Sequence, residues 1–176
     1  MILLGITGQK QSGKDTVLKC IRELLPSKAI LQRNFADALK LEVALGCNVD
    51  VDFVNEHKEN FRLILQGWGT DFRRRLFGDD YWIKKWMIAM SRTVTNPFMV
   101  VCTDVRFLNE AEAIRNLGGI LWRVNRTNSD RLPDLHQSEV ELNGIETDSV
   151  LFNNYTVENL KTETNKLLIK HGIRTN

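Results

Sequence analysis

Five short segments of the chain have the length and apolar content of β-strands, and segments with helical periodicity separate them. The predicted strands are Ile2–Ile6, Lys28–Gln32, Phe98–Cys102, Ile120–Val124 and Ser149–Phe152. The third of these is apolar at every position, which is typical of a strand buried on both faces of a sheet. The predicted order is β-α-β-α-α-α-β-α-β-loop-β-α. This alternation predicts an α/β domain in which a parallel five-stranded sheet is flanked by helices in three layers.

A helix that starts near Phe61 carries two stripes of side chains. One stripe is apolar and is predicted to face the core: Phe61, Leu65, Trp68, Phe72 and Leu76. The other is polar and lies about 110° around the helix: Arg62, Gln66, Thr70 and Arg73. A solvated face and a ligand-binding face both fit the polar stripe. Gly67 and Gly69 each cost about 1 kcal/mol inside a helix, so they indicate either a close approach to the backbone or a bend.

The segments on either side of this helix predict two more helices. Asp37 is a typical N-cap residue and predicts a helix that runs to about Gly46, followed by a loop at Asn48–Asp52. Asp80, or the residue before it, is the predicted cap of a helix that begins at Tyr81. Two tryptophans four residues apart share one face of that helix, and core packing is the simplest interpretation of both: Trp82 and Trp86.

The segment between the first strand and the first helix reads Gly8-Gln-Lys-Gln-Ser-Gly-Lys-Asp-Thr16. This pattern in a strand–loop–helix context is typical of a phosphate-binding loop (P-loop) and refines the prediction to the P-loop NTPase fold. Lys14 is then expected to contact the β- and γ-phosphates. The Ser or Thr that usually follows the lysine, as a magnesium ligand, is replaced by Asp15. A glycine turn that only joins strand to helix is the alternative.

Two charged residues directly follow the buried third strand, in the segment Thr103-Asp104-Val105-Arg106. Parallel α/β sheets bind ligands at the carboxyl ends of their strands, so Asp104 and Arg106 are candidate active-site residues. Asp104 is similar to the strand-end acid that orients magnesium in P-loop enzymes, and a surface salt bridge is the alternative. A polar segment, Asn125–Glu139, follows the fourth strand, and a loop of this length is usually a lid or a disordered segment.

Composition excludes some classes of function. The 176 residues suffice for one domain with a substantial core, and a net charge of +2 does not indicate a nucleic-acid polymer or a membrane as partner. The N-terminus lacks a basic leader and no apolar run approaches membrane-spanning length, so a cytoplasmic protein is expected. The cysteines show no metal-binding or disulfide spacing and are predicted to be reduced core thiols: Cys20, Cys47 and Cys102.

Several segments in combination are similar to one family. Beside the P-loop they are Asn34-Phe-Ala-Asp-Ala-Leu-Lys40, Leu65-Gln-Gly-Trp-Gly-Thr-Asp71 with Tyr81-Trp-Ile-Lys84, Asp104-Val-Arg-Phe-Leu-Asn-Glu110, Arg123-Val-Asn-Arg126, His136-Gln-Ser-Glu139 and Phe152-Asn-Asn154. Together they resemble the deoxynucleoside-monophosphate kinases of tailed bacteriophages over nearly the whole chain. The segments at Leu65 and Asp104 are more specific than the P-loop. Ala38 stands where proline is frequent in such sequences, and Asn154 where aspartate is frequent.

The resemblance implies roles for named residues. ATP would be bound by Gly8, Lys10, Ser12, Gly13, Lys14, Asp15, Thr16 and Arg126, with Arg131 as a second arginine from the lid. The acceptor monophosphate would be bound by Asp37, Lys40, Arg62, Gln66, Gly69, Thr70, Trp82, Asp104, Arg106 and Glu110. Catalysis would depend on Lys14, Asp104, Arg106 and Arg126, and Mg²⁺ would be held through water by Asp15 and Asp104. A single domain, 1–176, would contain an acceptor-binding helical insertion at about 37–92 and the lid at about 125–139.

The implied reaction is transfer of the γ-phosphoryl group of ATP to a deoxynucleoside monophosphate, with Mg²⁺ as cofactor. The expected partners are these nucleotides, with no nucleic-acid polymer and no membrane, in the host cytoplasm if the chain is phage-encoded. Whether the chain forms a homodimer is left open. Two alternatives remain: a kinase of another small phosphorylated acceptor, of the dephospho-coenzyme A or phosphomevalonate type, and a nucleotide-binding module without catalysis.

Overall fold

The computed structural model describes residues 1–92, 97–127 and 140–173. The chain divides into two compact units, of which unit 1 comprises Met1–Gln32 and Thr95–Asn176 and unit 2 comprises Arg33–Val94. The described residues of unit 1 contain five strands, namely β1 Ile2–Thr7, β2 Ile30–Gln32, β3 Met99–Val105, β4 Ile120–Asn125 and β5 Ser149–Phe152. They form one parallel sheet in the order β2-β3-β1-β4-β5. The predicted α/β fold with a parallel five-stranded sheet is confirmed.

The helices are α1 Lys14–Leu24, α2 Ala36–Cys47, α3 Val51–Glu56, α4 Arg62–Gln66, α5 Arg75–Phe77, α6 Tyr81–Ser91, α7 Leu108–Asn116 and α8 Val157–Lys170. A π-helical segment, Gly67–Arg74, joins α4 to α5, and a 3₁₀ turn, Glu141–Gly144, precedes β5. Within the described ranges, no helix is long and apolar enough to cross a membrane.

Alternation along the strands gives the sheet two apolar faces. Leu4 and Ile6 of β1 point to one face, where they join a buried cluster with residues of α1 and α8: Val17, Leu18, Ile21, Leu160 and Leu168. Gly5 points to the other face, where a Cβ atom added to it would lie 2.6 Å from Cδ1 of Ile114 in α7. Helices therefore cover both faces of the sheet, which gives the three layers that the sequence predicted.

The parallel arrangement brings the carboxyl ends of the strands to one edge of the sheet. The glycine loop, which we define as Gly8–Lys14, leaves this edge after β1, and Asp104 and Arg106 lie there at the end of β3. β3 extends to Val105, so Asp104 belongs to the strand rather than to the loop after it. In sheets of this kind the edge at the carboxyl ends is where ligands bind.

Two predicted features of the first helices in unit 2 are wrong. Phe35, not Asp37, occupies the N-cap position of α2, and Asp37 lies in the first turn, where its Oδ2 accepts a hydrogen bond from the Asn34 backbone N at 2.8 Å. The predicted loop at Asn48–Asp52 is partly helical, because α3 begins at Val51. Asp50 caps α3 through a bond from the Asp52 backbone N to its Oδ1, at 2.9 Å.

The apolar stripe predicted on the long helix is not a core stripe along its whole length. Phe72 is 42% exposed and Leu76 is 62% exposed, whereas Gly69 and Arg74 are buried. The reason is the π-helical segment, in which hydrogen bonds join residues five apart and the 3.6-residue period no longer describes which side chains share a face. The prediction fails where the helix changes type.

The two glycines within this helix have different surroundings. A Cβ atom at Gly69 would lie 2.9 Å from Cδ2 of Leu39, so a close approach to the backbone is confirmed there. A Cβ atom at Gly67 would make only an ordinary contact, 4.0 Å from Oδ2 of Asp71. The Gly69 carbonyl O accepts a hydrogen bond from Nε1 of Trp82 at 3.0 Å. Trp82 is 4% exposed and Trp86 is also buried, which confirms core packing for both rings.

The predictions for the cysteines and for the cap of α6 are each confirmed in part, and most of the predicted lid is not described. Cys20 and Cys102 are buried as predicted, but Cys47 at the end of α2 is exposed. Asp80 stands at the N-cap position of α6, but its side chain accepts no capping hydrogen bond from the helix backbone. Most of the predicted lid, including Arg131 and His136, lies outside the described residues.

Candidate active site

The glycine loop has a backbone that only glycine adopts easily at two positions. Gly8 has a φ of 146° and Gly13 a φ of 104°, both in the region that L-residues with a side chain rarely occupy. A Cβ atom at Gly8 would also overlap the carbonyl O of Val124 in β4. Gly8 and Gly13 are therefore required for the path of the loop between β1 and α1.

Lys14 is held against the backbone of this loop. Its Nζ donates to the carbonyl O of Gly8 at 2.7 Å and to that of Gln9 at 2.8 Å. An ammonium group has three N–H donors, so it can keep contact with the loop while it binds an anion. Ser12 is buried in the same loop, and its Oγ has no hydrogen-bond partner among the described residues.

The carboxylate of Asp15 is tied to β3 by a chain of side-chain hydrogen bonds. Thr103 Oγ1 donates to Oδ1 of Asp15 at 3.0 Å, and Nε2 of Gln32 donates to the same Thr103 oxygen at 3.0 Å. These bonds join α1, β3 and β2, so the orientation of the Asp15 carboxylate is fixed by residues of the sheet.

The carboxylate of Asp104, the next residue along β3, is held by a thiol. Cys102 Sγ donates to Oδ1 of Asp104 at 3.1 Å. Burial, and then the charge of Asp104, raise the pKa of the Cys102 thiol well above its usual value, so the thiol keeps its proton and can donate it. Neighbouring residues of β3 thus fix both candidate magnesium-binding carboxylates.

Asp15 and Asp104 carry the two carboxylates that the sequence predicts to bind Mg²⁺. Among the described residues, no group of three or more His, Cys, Asp or Glu side chains could hold a metal. Mg²⁺ usually keeps several waters and binds through one or two carboxylates and substrate phosphates. Binding of Mg²⁺ through water by Asp15 and Asp104 stays a prediction.

Glu110 acts on the backbone next to Arg106. Its carboxylate is 4% exposed, and its Oε2 accepts hydrogen bonds from the backbone N of Arg106 at 2.9 Å and of Phe107 at 3.2 Å. The resemblance implied that Glu110 contacts the acceptor. The structure shows that it holds the chain where Arg106 leaves β3, and the Arg106 side chain is half-buried.

Arg126 follows β4 directly and its side chain is exposed. Sequence reasoning did not assign a role to Asn153, which follows β5. Its Nδ2 donates to the carbonyl O of Ser12 at 2.8 Å, and its amide occupies the space that a Cβ atom at Gly13 would need. The only sequence feature that pointed to Asn153 was the segment Phe152-Asn-Asn154, which is part of the family resemblance.

Unit 2 carries most of the residues predicted to bind the acceptor. Four of them are half-buried, on α2 and along the helix that includes the π-helical segment: Lys40, Arg62, Gln66 and Thr70. Asp37 is exposed, whereas Gly69 and Trp82 are buried. The roles of all seven in binding the acceptor stay predictions.

Glu42 of α2 is the centre of a side-chain network that the sequence did not reveal. Its Oε1 accepts from the hydroxyl of Tyr81 at 2.7 Å, and its Oε2 accepts from Nε of Arg73 at 2.7 Å and Nε1 of Trp68 at 3.1 Å. The Arg73 guanidinium also lies 5.2–5.4 Å from the centroids of four aromatic rings: Trp68, Phe72, Phe77 and Tyr81. Arg73, although part of the predicted polar stripe, is thus committed to packing.

This network predicts an acid-sensitive stability. Burial by itself would raise the pKa of Glu42, but hydrogen bonds from Tyr81, Trp68 and Arg73 outweigh it and lower the pKa below 4.5. A carboxyl with a lowered folded-state pKa stabilises the fold fully above its unfolded pKa, and this stabilisation is lost as the pH falls through the folded pKa. Glu42→Gln should therefore lower the free energy of unfolding by about 1–3 kcal/mol near neutral pH, and by less at low pH.

Urea unfolding of the wild type and Glu42→Gln, at neutral pH and below the folded-state pKa of Glu42, measures this difference. Glu163→Gln is the matched control, because the ion pair of Glu163 with Lys166 is exposed and should contribute little. An equal loss for Glu42→Gln at both pH values would mean that the ionised carboxylate is not the source of the stability.

Comparison with known proteins identifies the family of the chain. The sequence profile of the family described as "Deoxynucleotide monophosphate kinase" matches residues 30–164. A protein of Acanthamoeba polyphaga mimivirus, named "Putative deoxynucleotide monophosphate kinase", is 34% identical over 188 residues, which cover 90% of this chain and 91% of that protein. A crystal structure of TT1252 from Thermus thermophilus covers 96% of this chain and 97% of its own, with 18% identity and a TM-score of 0.48.

The family match includes the whole of unit 2 and the strand-end residues Asp104 and Arg106. It covers the segments on which the sequence resemblance rested, apart from the glycine loop, which precedes the matched residues. It decides against a nucleotide-binding module without catalysis. The chain belongs to the deoxynucleotide monophosphate kinase family and is a phosphotransferase.

Proposed function

We propose that the protein transfers the γ-phosphoryl group of ATP to a deoxynucleoside monophosphate, producing a deoxynucleoside diphosphate and ADP. The observation that carries this proposal is the glycine loop, in which Gly8 and Gly13 have positive φ and Lys14 closes the turn. Such a loop before a helix N-terminus suits a polyphosphate, because its backbone N–H groups and the helix dipole both favour negative charge. In a family of deoxynucleotide kinases, a nucleoside triphosphate donor is the natural occupant.

In the proposed transfer, an oxygen of the acceptor phosphate forms a bond to the γ-phosphorus. The bond from that phosphorus to the bridging oxygen breaks, and its electrons stay with ADP. This chemistry needs charge stabilisation and positioning more than proton transfer. Lys14, Arg106 and Arg126 would stabilise the negative charge on the transferred group. Mg²⁺, when bound through water to Asp15 and Asp104, would add charge neutralisation at the phosphate oxygens.

Polar residues of unit 2 are proposed to bind the acceptor. Arg62, Gln66 and Thr70 are half-buried polar residues on the helix that the Glu42 network holds, which supports a binding role rather than a purely solvated face. Glu110 would contribute through the backbone of Arg106 rather than by direct contact. Asp37 and Lys40, from the start of α2, complete the proposed set with Gly69 and Trp82.

An assay of ADP release with each candidate acceptor tests the function. The wild type with ATP and Mg²⁺ should release ADP when a deoxynucleoside monophosphate is added and should release little without one. Dephospho-coenzyme A and phosphomevalonate serve as comparison acceptors of the two alternative types. If the enzyme turns over dephospho-coenzyme A or phosphomevalonate faster than every deoxynucleoside monophosphate, the proposal is overturned. ADP release at the same rate with and without an acceptor would also overturn it.

A further expectation concerns the sugar. If Trp82 packs against the acceptor sugar, a 2′-hydroxyl would be left buried without a partner, which lowers kcat/KM roughly 10- to 200-fold for ribonucleotides. Trp82 is buried and donates to Gly69 O, so Trp82→Ala would also open the core. Trp82→Phe keeps most of the ring, and it should narrow the ratio of dGMP to GMP turnover while the protein stays folded. Equal wild-type efficiency on dGMP and GMP would show that the enzyme does not select against the 2′-hydroxyl.

A further inference from the structure

We infer that Asn153 and Asn154 are positioning residues that hold the glycine loop and the backbone on both sides of Arg126 in one arrangement. The inference rests on the proposed function, because it concerns residues on the phosphate donor's side of the reaction. It gives a role to the two consecutive residues that directly follow β5, and both are proposed to act through the backbone of other residues. Three hydrogen bonds within unit 1 support this inference.

The first tie runs from Asn153 to the glycine loop. Nδ2 of Asn153 donates to the carbonyl O of Ser12 at 2.8 Å. The same amide stands where a Cβ atom at Gly13 would be, so side chain and loop backbone are in direct contact. Because the Ser12 carbonyl is fixed from outside the loop, the N–H groups of the neighbouring residues have less freedom to turn away from a phosphate.

The other two ties run to the chain around Arg126. The backbone N of Asn153 donates to the carbonyl O of Asn125 at 2.8 Å, and Oδ1 of Asn154 accepts from the backbone N of Thr127 at 2.8 Å. The last paired residues of the β4–β5 ladder are Asn125 and Phe152. The asparagine pair therefore continues the pairing beyond the end of the sheet and anchors the residue before Arg126 and the residue after it.

The side-chain amides of Asn153 and Asn154 use different atoms for their hydrogen bonds. Asn153 acts as a donor through Nδ2, and Asn154 acts as an acceptor through Oδ1. An aspartate can accept but, when ionised, cannot donate. One substitution, Asn→Asp, should therefore break the tie at Asn153 and keep it at Asn154. The pair offers its own matched control, because both changes add the same charge at adjacent positions.

Equilibrium binding of ADP, measured by calorimetry, tests the first tie without requiring turnover. Asn153→Asp should weaken ADP binding at least ~10-fold, since a lost donor leaves two acceptor oxygens in contact. Asn154→Asp should weaken it far less. Equal weakening in both variants would show that added negative charge, not the lost tie, is responsible, and it would overturn the inference. So would unchanged binding in Asn153→Asp.

Amide hydrogen exchange tests the tie to Thr127. Its N–H should exchange faster in Asn154→Ala than in the wild type and should regain its protection in Asn154→Asp. A Thr127 amide that exchanges equally in all three proteins would overturn the role of Asn154. Thermal unfolding of each variant checks that it is folded under the conditions in which exchange and binding are measured.

Steady-state kinetics test whether Asn154 acts through Arg126. Asn154→Ala should lower kcat several-fold with a smaller change in the KM for ATP, and Asn154→Asp should restore it. In the double variant with Arg126→Ala, kcat should equal that of Arg126→Ala within about 2-fold, because residues that act as a unit are not additive. If kcat in the double variant falls by the product of the two single-variant factors, the residues act independently and the inference is overturned. A wild type that phosphorylates no deoxynucleotide would instead refute the proposed function, while ADP binding and Thr127 exchange would still decide whether the ties exist.

Discussion

Lys14→Ala is expected to lower kcat at least ~100-fold while the protein stays folded, which is the largest single effect on turnover that the structure predicts. Nζ of Lys14 already lies at the glycine loop, bonded to the carbonyl oxygens of Gly8 and Gln9. Removing it deletes a charge next to the proposed position of the transferred group. The KM for the acceptor should change much less than kcat, because the lysine is proposed to act on the donor phosphates.

Lys19→Ala is the matched control for this prediction. Lys19 is an exposed residue of the same helix, α1, so its removal changes the net charge equally but should leave turnover as in the wild type. Steady-state ADP release and thermal unfolding of both variants make the comparison. Near-normal turnover in folded Lys14→Ala would show that the glycine loop is only a connection between strand and helix.

The second large effect is expected for Arg106→Ala, on acceptor binding. A guanidinium binds a phosphate through two charge-assisted hydrogen bonds, so its loss should cost about 2–4 kcal/mol of acceptor affinity. That loss corresponds to a rise of roughly 30- to 900-fold in the dissociation constant for the deoxynucleoside monophosphate. The affinity for ATP should change much less. Arg106→Lys should recover only part of the loss, because a lysine keeps the charge but not the two-pronged geometry.

Calorimetric titration with the acceptor and with ATP separates the two ligands, and Arg22→Ala, at an exposed position of α1, controls for the change in charge. If Arg106→Ala weakens ATP as much as the acceptor, Arg106 is not an acceptor residue. Because Glu110 holds the Arg106 backbone, Glu110→Ala should reproduce part of the acceptor effect together with a loss of stability.

The architecture of unit 1 was predictable because its signals are local. Short apolar runs that alternate with helical segments specify a parallel sheet in three layers. The order of the strands within the sheet, β2-β3-β1-β4-β5, was not predicted. The glycine loop was recognisable because Gly8 and Gly13 stand at positions where the backbone needs positive φ. Asp104 and Arg106 were found because the end of a buried parallel strand is a fixed place in such a sheet.

Errors arose where the helical period changes or where a helix start depends on distant groups. The stripe that includes Phe72 and Leu76 was read with a constant 3.6-residue period, but the segment between α4 and α5 is π-helical. Asp37 has the side chain of an N-cap residue, yet α2 begins two residues before the helix start that such a cap would give. Propensity gives only a probability for each residue type. Here the helix begins after Phe35, which is 3% exposed and packs against Trp86.

Residues whose role depends on partners far along the chain were not predictable from their own neighbourhood. Asn153 contacts Ser12, Glu42 binds Arg73, and Thr103 binds Asp15, each across many residues of sequence. Asparagine and glutamate are common in loops and on solvated helix faces, so nothing in their local sequence marks them as parts of a network. Glu110 was singled out, but as an acceptor contact and not as the residue that positions Arg106.

The sequence by itself determined the order of strands and helices, the parallel sheet and the position of the glycine loop, because periodicity and glycine requirements act within a few residues. Only the tertiary structure decided which side chains complete the loop, which carboxylates β3 orients and where the long helix becomes π-helical. Those features depend on hydrogen bonds and close contacts between segments distant in sequence. Their partners are chosen by the fold as a whole, and one segment alone does not contain them.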